Sequence, residues 1–247
     1  DTLAGLGGAD NLDGGTGTDT ADYSASDNGV QINLAAGTGT GGHAAGDTLS
    51  NIENVTGSDY DDSLVGDSAV NQLIGGDGDD LLEGAGGADS LDGGAGNDTI
   101  TYTNATAGVN VSLTTGNGTN NEAQGDFIQK VENIIGSGFA DTLTGDSGIN
   151  ALTGGGGDDT LVGLGGADIF DGGAGTDSVD YTASASAVTI NLATNTASGG
   201  DATGDSFTSI ERIVGSAFND ALTAAAGGST LLGMDGNDSI TGAAGND

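Results

Sequence analysis

The chain has 247 residues, of which 37 are Asp or Glu and two are Lys or Arg, giving a formal net charge of −35. So acidic a chain cannot build the basic patch that grips a phosphate backbone, and anionic membrane surfaces repel it. It has no Cys, Pro or Trp, which excludes disulfides, thiol catalysis and Cys-based zinc sites.

Composition alone describes an acidic, Gly-rich disordered tail; the order of the residues argues for a fold. Residues 1–56 read as the end of a first copy of a long repeat. Gly5 and Gly14 each open a nonapeptide with Asp sixth, at Asp10 and Asp19. Tyr23 follows, then the alternating strand VQINL from Val30, then nine residues with Glu53 sixth. Residues 57–135 form a complete copy. Its nonapeptides begin at Gly57, Gly66, Gly75, Gly84 and Gly93, and three run without a break as GGDGDDLLE, GAGGADSLD, GGAGNDTIT. Residues 136–214 form another complete copy, and 215–247 begin a further one. The spacing is 79 residues: Tyr23, Tyr102 and Tyr181 align, as do Asp47, Asp126 and Asp205, and Glu53, Glu132 and Glu211. The array is read as one continuous solenoid, an excerpt of a longer one, since it lacks an initiator Met and stops inside a motif.

Each nonapeptide has two parts. Its last three residues alternate polar, apolar, polar, so a short strand turns one side chain inward. Its first six are glycines and acids, suited to a tight turn with positive φ and bare carbonyls. Calcium takes six to eight oxygens, mixing carboxylate and backbone carbonyl. The pattern predicts an all-β fold: a parallel β-roll or β-solenoid of three tandem 79-residue copies, with calcium in its GGxGxD turns. Two nonapeptides make one coil, so each calcium is expected between unit n and unit n+2. The 25 residues from Tyr102 to Asp126 are expected to form one wider turn with a bulging loop.

The expected calcium ligands are Asp10, Asp19, Asp62, Asp80, Asp89, Asp98, Asp141, Asp159, Asp168, Asp177, Asp220, Asp238 and Asp247, all sixth in their units. Asp77 and Asp235, third in their turns, are further candidates. Gly75, Gly78, Gly93, Gly96, Gly154, Gly157, Gly172 and Gly175 complete the same turns. Asn71, Asn150 and Ser229 replace the acid and weaken their sites. Asp47, Asp126 and Asp205 are candidates for a different calcium site with Glu122 or Asp201, although His43 stands at that place in the first copy. The bland alternative throughout is a solvated turn aspartate.

A lone His43 without Cys or a repeated partner makes no triad and no His-based zinc site, so catalysis is not expected. No apolar run reaches the length of a membrane span. The recurring tyrosines read as strand-end packing.

These units resemble the repeats-in-toxin family, the hemolysin-type calcium-binding repeats. The resemblance rests on the GGxGxD nonapeptides and, less specifically, on the Tyr, Gly-Val-x-Ile/Val-x-Leu, Gly-Asp and Ile/Val-Glu landmarks between them. It implies a chain exported unfolded by a type I system that folds outside the cell, where calcium is plentiful. On that basis the expected role is a calcium-stiffened extracellular rod in a surface layer, adhesin stalk or matrix filament. End-to-end self-association is the expected partner mode besides calcium, with no nucleic acid and no membrane insertion. The alternative is a calcium-dependent secretion and folding module attached to an enzyme or toxin.

Overall fold

The computed structural model describes residues 1–243; Asp247, one of the expected ligands, lies outside the described residues. The contacts divide the chain into two compact units, Asp1–Ala105 with Gly116–Asn133, and Thr106–Thr115 with Ile134–Asp247.

In the first unit one sheet is wholly parallel from Thr2–Leu3 through Thr20–Asp22, Asn54–Thr56, Gln72–Asp77 and Ser90–Ala95 to Phe127–Gln129. Its partner sheet stacks Gln31–Asn33, Ser63–Val65, Leu81–Glu83 and Thr99–Thr101 in parallel. Consecutive strands alternate between the sheets, so residues 18 apart become neighbours: Leu64 beside Leu82 beside Ile100, and Leu73 beside Leu91. This follows from the nonapeptide. Each unit has three extended residues, and only the middle one is apolar and inward. Leu64, Leu73, Leu82 and Ile100 have no exposed surface. A fully buried Leu or Ile is worth roughly 1.5–3 kcal/mol, so the core is one residue deep per strand, and most of each unit lies in its turn.

The segment expected to be one wide turn is instead a β-hairpin. Gln31–Asn33 runs parallel to its neighbour, Thr38–Thr40 returns antiparallel, and Thr48–Ser50 resumes the parallel direction. Gly37, at φ 65°, makes the first reversal. The return strand reads TGT and has no apolar residue. A side chain at its central Gly39 would press on the buried Ala44. A short 3-10 turn, Gly42–Ala44, closes the insert.

The second unit repeats the plan. One sheet stacks Asn110–Ser112, Thr142–Thr144, Thr160–Val162, Ser178–Asp180, Arg212–Val214 and Thr230–Leu232, all parallel. A second joins Ala151–Gly156, Ile169–Ala174 and Ser206–Thr208, where the Phe170 and Phe207 rings stack at 5.7 Å. A third holds the hairpin Thr189–Asn191 with Thr196–Ser198, followed by Ala221–Thr223 and Ser239–Thr241. Thr142–Thr144 and Ala221–Thr223 hold the same place in their copies but lie in different sheets. The hairpin adds strands without adding crossings, so each copy crosses between faces an odd number of times.

Candidate calcium sites

The sixth-position carboxylates line up as ladders along the turns. In the first unit the N–H of Val30 donates to Asp62 Oδ1 at 2.6 Å, and the N–H of Asp62 donates to Asp80 Oδ1 at 2.8 Å. The N–H of Asp80 then donates to Asp98 Oδ1, and that of Asp98 to Glu132 Oε2, each at 2.8 Å. A second row runs from the N–H of Asn71 to Asp89 Oδ1 at 2.8 Å, and from the N–H of Asp89 to Asp126 Oδ1 at 2.9 Å. The first copy shows the last steps of both rows, Asp19 to Glu53 and Asp10 to Asp47, at 2.9 and 2.8 Å. The second unit repeats them: Val109 to Asp141, Asp159, Asp177 and Glu211, and Asn150 to Asp168 and Asp205, all between 2.7 and 3.0 Å. Asp220 donates to Asp238 Oδ1 at 2.9 Å.

Each ladder bond uses one carboxylate oxygen. The other, Oδ2, is buried without a hydrogen-bond partner in Asp10, Asp19, Asp80, Asp89, Asp98, Asp159, Asp168 and Asp177. A buried carboxylate oxygen left unmatched costs several kcal/mol, and eight of them in two units is not a tenable resting state for a protein alone. Each faces the first glycine of its own unit. At Gly75 a Cβ would collide with Asp80 Oδ2 and with the carbonyl oxygen of Gly93, one coil on. Gly154 stands in the same way against Asp159 and Gly172, Gly93 against Asp98, and Gly172 against Asp177. Gly78, at φ 114°, aims the turn's backbone as no L side chain would allow; Gly96, Gly157 and Gly175 match it. Unpaired carboxylate oxygens and bare carbonyls crowded at one turn are a hard-oxygen donor set, the kind calcium takes. No three carboxylate or imidazole side chains converge on a metal position among the described residues, so carbonyls must supply much of any coordination shell.

A protein-family model for the RTX calcium-binding nonapeptide repeat matches residues 1–28, 48–82, 56–91, 65–100, 135–169, 144–179 and 214–247, together well over half of the chain. The chain belongs to this family. The RTX repeat binds calcium, and its proteins are typically exported by type I secretion. No curated protein matches the chain. No helix among the described residues is long and apolar enough to cross a membrane.

The electrostatics of the RTX rows follow from burial. The pKa of Asp80, Asp89 and Asp159 is pushed up to about 7 and that of Asp168 to about 6. Burial is the main cause, and neighbouring carboxylates in the row add to it.

The structure divides the expected ligands further than their sequence does. Asp62, Asp141 and Asp220 open the first turn of their copies, where Ser follows the first glycine. Ser58, Ser137 and Ser216 donate their N–H to the Oδ2 of these aspartates and their Oγ to Oδ1, the latter at 2.9, 2.9 and 2.7 Å. Both oxygens are thus matched by the chain itself. Asn71 and Asn150 use Oδ1 similarly, accepting from Asp67 and Asp146 N–H at 2.7 and 2.8 Å. Asp77 and Asp235 are exposed at the turn tips.

Asp47, Asp126 and Asp205, considered above for a separate calcium site with Glu122 or Asp201, are instead engaged within the protein. Tyr23, Tyr102 and Tyr181 donate their hydroxyls to Oδ2 of these aspartates at 3.0, 2.9 and 2.6 Å, all buried. Sequence reasoning read the tyrosines as packing and missed this pairing, although the constant 24-residue step from Tyr to Asp was present in all three copies.

Proposed function

We propose that this chain is a calcium-rigidified extracellular structural segment, a rod of the kind used in a surface layer, adhesin stalk or filament, with no catalytic role. The observation that carries the reading is that both carboxylate rows of a copy span its hairpin insert. The step lengthens there from 18 to 37 or 34 residues and the ladder bond is kept. A module that needs only to fold has no use for an insert fitted so that the rows survive it; an extending solenoid does, because every copy must hand its ends to the next.

In this reading calcium is held by Oδ2 of Asp10, Asp19, Asp80, Asp89, Asp98, Asp159, Asp168 and Asp177, with carbonyls of the same turns. The Ser-capped Asp62, Asp141 and Asp220 hold none. The 79-residue copies bounded at 57–135 and 136–214 are the units of growth, and copies stacked between molecules would extend the rod. The runner-up, a secretion and folding module for an attached enzyme or toxin, shares the calcium chemistry.

Small-angle scattering on the calcium-loaded chain, and on a version carrying one additional 79-residue copy, separates the two readings. A rod gains a fixed increment in length at constant cross-section. A compact particle of unchanged aspect ratio would defeat it.

A further inference from the structure

A cavity of about 230 Å³ opens beside Tyr102 in the second copy. Ala85, Ala105 and Tyr102 form its apolar wall, and Glu83, Asn104 and Glu122 bring polar groups to it. All six belong to the first unit.

The repeat supplies its own controls. Where the second copy has Ala85, the others have Leu6 and Leu164, and all three residues are left-handed, at φ 62°, 59° and 66°. Where it has Ala105, the others have Ser26 and Ser184. Those serines bolt down the 3-10 loop beside them: Ser26 Oγ accepts from His43 N–H at 2.9 Å and donates to the Asn28 carbonyl at 2.7 Å. Ser184 Oγ accepts from Asp201 N–H at 3.1 Å and donates to the Ser186 carbonyl at 2.9 Å. A Cβ at Gly42 or Gly200 would collide with that serine oxygen. The second copy has Asn121 at this place, so it can tolerate only a small residue opposite, and Ala105 is that residue. The two changes are sterically coupled, which random drift at one position does not produce.

The remaining changes are polar. Glu83 replaces Ala4 and Val162, Glu122 replaces His43 and Asp201, and Asn104 replaces two alanines. Asn104 Nδ2 donates to Glu83 Oε1 at 2.8 Å and fixes that carboxylate. The second copy has therefore removed a leucine, removed a serine bolt, and added one carboxylate, Glu83, to the acidic position that it shares with the third copy, Glu122.

We propose that this cavity binds an alkylammonium group. Its methylene stem lies along Ala85, Ala105 and Tyr102, and its ammonium meets Glu83 and Glu122. Anions are excluded by the two carboxylates, and a neutral apolar guest would have no use for them. A free polyamine and the lysine side chain of another polypeptide offer the same chemistry.

Amide chemical-shift mapping of the calcium-saturated full chain tests this, at about 0.15 M salt so that long-range attraction to the acidic surface is screened. The probes are n-butylammonium and, as the same stem without charge, 1-butanol. Shifts confined to Ala85, Ala105 and Glu122 with the first probe and absent with the second are expected. Ala85→Leu should abolish them, and it should fold, since Leu6 and Leu164 occupy the same left-handed position. Glu83→Gln with Glu122→Gln should weaken binding about tenfold. Shifts spread evenly over the Gly-Gly turns, or unchanged in Ala85→Leu, would overturn the proposal. Putrescine and N-acetyl-lysine-amide then identify the source, a preference for either being consistent with the site.

Discussion

The turn that carries Asp62 and the turn that carries Asp80 are neighbours in one stack and place an aspartate at the same step of one ladder. They differ in who satisfies its second oxygen. Ser58 does so for Asp62, whereas Asp80 Oδ2 has no protein partner. Ser58, with its ordinary negative φ, turns its backbone N–H onto Oδ2 and its hydroxyl onto Oδ1, and builds a turn that stands without metal. Gly76 carries the same N–H but, at φ 131°, does not bring it to Asp80 Oδ2 and leaves that oxygen for a cation. The backbone conformation of one residue, the second of the nonapeptide, thus decides whether a turn is self-sufficient or conditional on calcium.

The largest test of this contrast is to remove calcium altogether. Chelation should abolish the far-UV β signal of the whole chain, because one or two Ser-capped turns per unit cannot offset chain entropy against the repulsion of a −35 chain; a β signal that persists in chelator would sink the calcium reading.

Acidification should act in the opposite sense to chelation. Carboxylates whose folded pKa lies above the unfolded value favour the fold when protonated. That contribution is fully present below about pH 4 and is lost as the pH rises through the folded values, about 7 for Asp80, Asp89 and Asp159 and about 6 for Asp168. Metal-free protein should therefore gain β structure as the pH falls from 8 to 5, read by circular dichroism, while calcium-loaded protein should lose affinity for its ions over the same range.

Asp80→Asn removes a charge from the row and keeps an amide oxygen for the ladder bond from Asp62 N–H. It should raise the calcium midpoint several-fold without weakening the metal-free state, and the fold accommodates an amide at this position in the natural Asn71 turn, where Oδ1 accepts from Asp67 N–H and Nδ2 donates to the Glu53 carbonyl. Ser58→Ala keeps the backbone N–H on Asp62 Oδ2 and removes only the hydroxyl bond to Oδ1, which Val30 N–H still serves; it should cost about 1–2 kcal/mol, and denaturant titration should show that loss at saturating calcium too. A serine variant whose loss vanished with added calcium would mean that the cap is itself replaceable by metal. The smallest effect is expected of Tyr102→Phe, about 1 kcal/mol from one buried hydrogen bond to Asp126, again independent of calcium.

Much of this was legible in the sequence. The inward Leu and Ile at the eighth position and the Gly-rich hexapeptide dictate a coil of 18 residues and two sheets, and Leu64, Leu82 and Ile100 fall in that register. The hairpin was not legible because its return strand, Thr38–Thr40, has no apolar residue; its central Gly39 lies against Ala44 of the 3-10 turn that follows it. The caps were missed for a related reason. GSDYDD and GGDGDD look alike when only the aspartate is read, and the difference depends on which donor reaches Oδ2 in three dimensions. The Tyr–Asp pairs join residues 24 apart across the insert, a distance at which no local propensity speaks.

Because a copy makes an odd number of crossings, Phe139 and Phe218, which hold the same place in successive copies and are both half exposed, precede strands in different sheets, Thr142–Thr144 and Ala221–Thr223. Within the second unit, therefore, one motif of the sequence is presented from two different sheets, and a partner that reads the edge of only one of them meets that motif once rather than twice.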